Sequence, residues 1–171
     1  EPMPNGNVLI LAWDRKDASE VFNVGREIGG LTDPDLWVDA IYEVKPTGTQ
    51  AGQIVWEWHA WDHIIQDNNP RKPNFGQIST HPERLNINFS KRTVADWTHA
   101  NAVAYHPKLD QIMISFRALD EFWIIDHSTT TQESKSTKGG RYGKGGDILY
   151  RWGNPQTYNR GTQAEKKLFA Q

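Results

Sequence analysis

An all-β fold is predicted for these 171 residues, and three observations predict it. Eight Trp and fourteen Gly stand in a chain with no long stretch of helical periodicity. Short runs rich in β-branched and aromatic residues alternate with turn signals. The two halves of the chain also repeat the same runs in the same order, which is the mark of one small sheet used more than once.

Taken in order, the turn Asn5-Gly6 leads into a strand over 7–13, followed by strands over 37–44 and, after Gly52, over 53–58. In the second half the expected strands are 98–105, 111–117, 121–127 and, after Gly146, 147–152. Asn7-Val-Leu-Ile-Leu11 lies over Gln111-Ile-Met-Ile-Ser115 at an offset of 104. Ile41-Tyr-Glu-Val44 lies over Ile124-Ile-Asp-His127 at 83, and Gly52–Trp58 over Gly146–Trp152 at 94. The changing offset puts extra residues into the loops 14–35 and 128–145.

A four-stranded unit of this size is a propeller blade. The chain then divides into an incomplete blade (1–59), a surface excursion (60–97) with a possible helical turn at Trp61–Gln66, a complete blade (98–155), and the start of a further connection (156–171). Two blades cannot close a ring, so the chain is expected to be part of one larger β-propeller domain. A β-sandwich is the alternative, because sandwiches space short strands in the same way.

Composition narrows the functions. A net charge of -2 with scattered cations gives no basic face for nucleic acid. Apolar runs such as Val8–Ala12 are too short to span a bilayer. Cysteine is absent, which removes disulfides, thiolate metal sites and a cysteine nucleophile.

Among six histidines, His59 and His63 flank Asp62 without a third spaced ligand, so they are read as loop or rim residues and no metal is assigned. His127 ends a strand and is expected to be exposed. His99 differs, because it opens the first strand of the complete unit. Alternation would put His99, Asn101, Val103 and Tyr105 on one face. Pairing through the turn at 107–110 sets His99 opposite Arg117. The glycine-rich stretch Gly139–Gly146 fails the phosphate-loop spacing and reads as a loop, although Arg141 and Lys144 could meet an anion. Glu57 and Asp126 are strand carboxylates with no evident partner.

Pro4-Asn-Gly-Asn-Val-Leu-Ile10, Gly52–His63, Asp96-Trp-Thr-His-Ala-Asn101, Leu109-Asp-Gln-Ile112, Trp123–Ser128 and Gly140–Pro155 together resemble the bacterial arylsulfotransferase family. The resemblance implies a six-bladed propeller that moves a sulfuryl group from an aryl sulfate to a phenolic acceptor. It implies a sulfohistidine intermediate, no cofactor and no phosphoadenosine phosphosulfate, in a periplasmic or secreted protein. His99 matches the family's supporting His, Asn101 the Asn two residues on, and Arg117 its sulfate-holding Arg. The nucleophilic His is expected in a further blade after Gln171, with another channel His before Glu1, so the piece alone would be inactive. The partners implied are small aryl sulfates, phenols and the remaining blades. The competing reading is a non-catalytic propeller that binds a ligand or protein.

Overall fold

The computed structural model describes residues 1–27, 33–89 and 95–169. β1 (Val8–Lys16), β2 (Leu36–Pro46) and β3 (Gly52–His59) form an antiparallel sheet in that order. The residues before β1 fold back on it: Glu1 and Leu9 exchange both backbone hydrogen bonds at 2.9 and 2.8 Å across the turn at Gly6. The expected loop 14–35 contains α1 (Ala18–Asn23), started by Asp17 in a capping box with Glu20. Part of that loop, 28–32, lies outside the described residues.

β4 (Ile64–Ile65) and β5 (Leu85–Asn86) form a short parallel pair. A second sheet has the order β6 (Ala100–His106), β7 (Gln111–Phe116), β8 (Glu121–Asp126) and β9 (Tyr150–Gly153), antiparallel throughout. The fold is all-β, with only short helices, among them α2 (Thr131–Ser134) and α3 (Gln163–Leu168). Among the described residues, no helix is long and apolar enough to cross a membrane.

Stretch 60–97 is not the surface excursion expected. Ile64, Leu85, Ile87 and Trp97 enter the core shared by both sheets, because these few large apolar side chains in a mostly polar stretch gain more from burial than from water. Its expected helical turn is one 3-10 turn, Ala60–His63, after which the chain extends into β4. Residues 90–94 of that stretch lie outside the described residues.

The two sheets pack face to face. Leu9, Ile41, Trp56 and Trp58 of the first meet Ile112, Ile114, Phe116, Trp123 and Ile125 of the second in one cluster. Two indole N–H groups bond across the interface, Trp56 Nε1 to Thr129 Oγ1 at 3.1 Å and Trp58 Nε1 to the Gly146 carbonyl at 2.8 Å. His127, expected to be exposed, is instead largely buried here. Its Nε2 lies 2.9 Å from Glu43 and its Nδ1 2.7 Å from Asp110, so the ring bridges a carboxylate of each sheet. Burial pushes Glu43 up, but bonds from Asn7, Asn5 and His127 outweigh it and hold the carboxyl below its usual range. Asp110 is lowered in the same way, by His127 and Tyr105 against its burial.

A carboxyl lowered in the folded state contributes stability above its unfolded pKa, and that contribution is lost as pH falls through the folded value. Acidification from about pH 6 to about pH 3, across the unfolded carboxylate range near 4, is therefore expected to destabilise the wild-type chain more than a Glu43→Gln variant. Denaturant melts at each pH measure this, and parallel losses in both proteins would contradict it.

His63 is also not a rim residue. It is 1% exposed, stacked on Trp58, with Nδ1 2.8 Å from Asp147 and Nε2 2.8 Å from the Ser134 carbonyl. This ring pins the glycine-rich loop. A Cβ on Gly146 would lie 1.9 Å from the Ser134 carbonyl oxygen, a backbone atom that cannot swing away. Gly146→Ala is expected to cost about 1–3 kcal/mol, read as a lower melting temperature, and an unchanged melt would show that the loop can relax.

Candidate functional site

β6 starts at Ala100, two residues later than alternation suggested, because His99 adopts a left-handed backbone with φ 54°. Histidine tolerates that region better than β-branched residues do, but it must be held there. The Arg117 N–H donates to the His99 carbonyl at 3.0 Å, and Ala118 N–H to the Thr98 carbonyl at 3.2 Å. From the first sheet, Asp39 accepts from the Thr98 hydroxyl and, at 3.0 Å, from Ala100 N–H. Burial raises the pKa of Asp39, while the bonds from Thr98 and Ala100 act against the rise. A buried carboxylate thus clamps both sides of His99.

The imidazole is oriented as well. His99 Nδ1 bonds the Asp96 carboxylate, three residues earlier, and among the described residues Nε2 has no hydrogen bond. The side chain is 32% exposed. Asp96 was missed by the sequence reading, although the Asp-x-x-His spacing carried the signal.

His99 and Arg117 meet through the backbone, but by way of a bulge between Ala100 and Ala102, since the register set by the 107–110 turn would put Ala118 opposite His99. The same bulge corrects the expected face of β6. The extra residue shifts the phase, so that Ala100 packs on the core with Val103 and Tyr105, while Asn101 is exposed. Asn101 Oδ1 instead accepts from the Ser115 hydroxyl at 2.6 Å. Asn101, Ser115 and Arg117 line one hollow of about 320 Å³ with Asp120, Phe122 and Trp152, and His99 is not part of that lining. Arg117 is exposed, and among the described residues its guanidinium has no ion pair or hydrogen bond. A fork of donors kept unpaired at the end of a strand suits an oxyanion.

Other polar groups are occupied. Glu57, read as unpartnered, pairs with Lys135 at 2.8 Å, and Asp126 accepts from Ser128 and Tyr142. His59 bonds Asp14, which also accepts from Tyr42 OH at 2.9 Å; burial and Asp14 push that phenol up to about 12. Arg141 donates to the Lys108 and Leu109 carbonyls, so it ties down its loop. A larger cleft of about 840 Å³ holds Trp61, Phe75 and Lys144, but its His81 pairs with Glu83 and its Arg84 with Asp147.

An oriented imidazole just before β6 and, just past β7, a guanidinium with no partner among the described residues stand at one end of the second sheet. The chain belongs to the arylsulfotransferase (ASST) family, whose sequence model matches residues 1–133. His99, Asn101 and Arg117 fall inside the match, whereas Gly140–Pro155 falls outside it. No curated protein and no solved structure matches the chain.

Proposed function

We propose that this chain is two successive blades of an arylsulfotransferase propeller, in which His99 and Arg117 hold the sulfuryl group during transfer. The observation that carries the reading is the family match over 1–133, with the unpaired Arg117 and the Asp96-oriented His99 inside it.

The architecture is supported by the ladders. Row Leu9–Glu43–Trp56 of the first sheet corresponds to row Met113–Ile124–Tyr150 of the second, and Leu11–Ile41–Trp58 to Ser115–Phe122–Trp152. Outer strands keep the offsets 104 and 94, while the middle strands match at 81 rather than the 83 of the sequence alignment. The first set is packed on the second sheet: Leu9, Trp56 and Trp58 are 1%, 4% and 0% exposed. Their counterparts Met113, Tyr150 and Trp152 are 42%, 55% and 61% exposed. A head-to-tail repeat presents such a face to its next unit. Likewise, the Glu1–Leu9 pairing is the start of a fourth strand on the free side of β1.

The chemistry is direct displacement at sulfur. An imidazole nitrogen of a further blade forms an N–S bond as the S–O bond to the aryl group breaks, and the phenolate leaves with that electron pair. A second phenol, losing its proton, then takes the sulfuryl group from the sulfohistidine. Arg117 presents two parallel donors to sulfate oxygens, and His99, whose Nδ1–H is held by Asp96, presents a third from Nε2 only when the ring carries both protons. Phosphoadenosine phosphosulfate is not required, and the family points to a periplasmic or secreted setting. Transfer from a chromogenic phenyl sulfate to a phenol by the intact protein is the test. No turnover with any of several aryl donors would favour a binding propeller instead.

A further inference from the structure

Trp13 and Trp37 stand apart from every other aromatic residue on the inner face of the first sheet. Trp56 and Trp58 on that face are buried by the second sheet, yet Trp13 and Trp37 remain 52% and 39% exposed with that sheet in place. Their rings are 5.3 Å apart and tilted by 33°. Two adjacent indoles left in water forgo the burial that a tryptophan ordinarily gains, and such a pair marks a surface that something planar and apolar covers.

Their position ties them to the site. At the offset of 104 that relates β1 to β7, Trp13 occupies the place of Arg117. One unit presents an indole where the next presents a guanidinium. Trp13 pairs in register with Asp39, the carboxylate that clamps Thr98 and Ala100 around His99. Trp37 donates its backbone N–H to the Ala95 carbonyl at 2.9 Å and bridges Asp96, whose carboxylate orients His99. Both indoles therefore belong to elements fastened to the 95–100 segment.

We infer that Trp13 and Trp37 form the platform for the aryl ring of the substrate, on elements fastened through Asp39 and Asp96 to the segment that carries His99. This rests on the sulfuryl-transfer reading and adds to it the residues that select an aromatic over an alkyl ester. The occupant is a planar aromatic ring carrying a phenolic oxygen, since donor and acceptor alike have that part in common.

The test is a titration of the 171-residue chain, following indole and backbone N–H resonances by NMR, with 4-nitrophenyl sulfate, 4-nitrophenol and inorganic sulfate as separate probes. The two aromatic probes are expected to shift the Trp13 and Trp37 indole N–H signals, and inorganic sulfate is not. Trp13→Ala with Trp37→Ala should weaken binding of 4-nitrophenyl sulfate roughly tenfold, the equivalent of about 1.4 kcal/mol. Should that variant unfold, Trp13→Leu with Trp37→Leu keeps apolar bulk without the ring face, and the same loss is expected. Shifts at His99 and Arg117 with both indoles unmoved would overturn the platform and leave the sulfuryl reading standing. Shifts at the indoles with none at Arg117 for the sulfate ester would support the platform and count against sulfuryl transfer. Unchanged affinity in the Leu variant would overturn the platform.

Discussion

Replacing Arg117 by Lys in the intact protein is expected to lower sulfuryl transfer about a hundredfold, the equivalent of about 3 kcal/mol for one preorganised donor. The guanidinium offers a planar fork to two sulfate oxygens, and an ammonium, as a point charge on a flexible stem, cannot reproduce it. The fold should be untouched, because among the described residues the Arg117 side chain holds nothing in place: only its backbone N–H is engaged, on His99. Circular dichroism and the melting temperature are the controls. Wild-type turnover in a folded Lys variant would make Arg117 a solvated surface residue.

The largest effect on stability is expected at Arg151. Its guanidinium is 5% exposed and paired with Glu121, which is 0% exposed. It also donates to the Pro82 and Arg84 carbonyls at 3.0 Å each and to Thr157 Oγ1 at 2.8 Å. One side chain therefore joins β9 to β8 and to the 82–84 segment. Arg151→Met would leave the Glu121 carboxylate buried with only the neutral donors Trp123 and Thr157. Removing one partner of a buried pair costs about 3–5 kcal/mol. In a chain of this size that is on the order of 10 °C in melting temperature. Adding Glu121→Leu should recover much of the loss, because the uncompensated charge goes with it. Equal melts for the single variant and the wild type would mean that water reaches Glu121.

The strands were legible because their signals are local. Runs such as Gln111–Phe116 and Glu121–Asp126 are β-branched and aromatic, and their turns carry Asn-Gly or Asp signals. The turn at 107–110 sets a register that would put His99 opposite Ala118, and only the bulge between Ala100 and Ala102 brings Arg117 opposite His99. What failed depended on distant partners or on a single inserted residue. The bulge after Ala100 reverses the face of Asn101, and alternation cannot encode it. His127 was misjudged because Glu43, 84 residues away, draws it against the first sheet, where it packs on Trp56. His63 was misjudged for the same reason, through Ser134 and Asp147, 71 and 84 residues on. The middle strands were matched two residues out of step because Ile-x-Glu and Ile-x-Asp look alike, whereas the ladder counts hydrogen bonds. Of the candidate site, His99 and Arg117 were singled out by strand position and register and given their roles, with Asn101, by family resemblance, while Asp96, Ser115 and Asp39 became visible only from contacts.

The most direct measurement incubates the intact protein with an aryl sulfate and no acceptor, quenches the reaction, and locates protein-bound sulfate by peptide mass spectrometry. The predicted result is a sulfohistidine outside residues 1–171, diminished by Arg117→Lys and discharged by added phenol. Sulfate found on His99, or none on any histidine while transfer proceeds, would contradict the assignment of His99 and Arg117 as the groups that hold the sulfuryl rather than carry it.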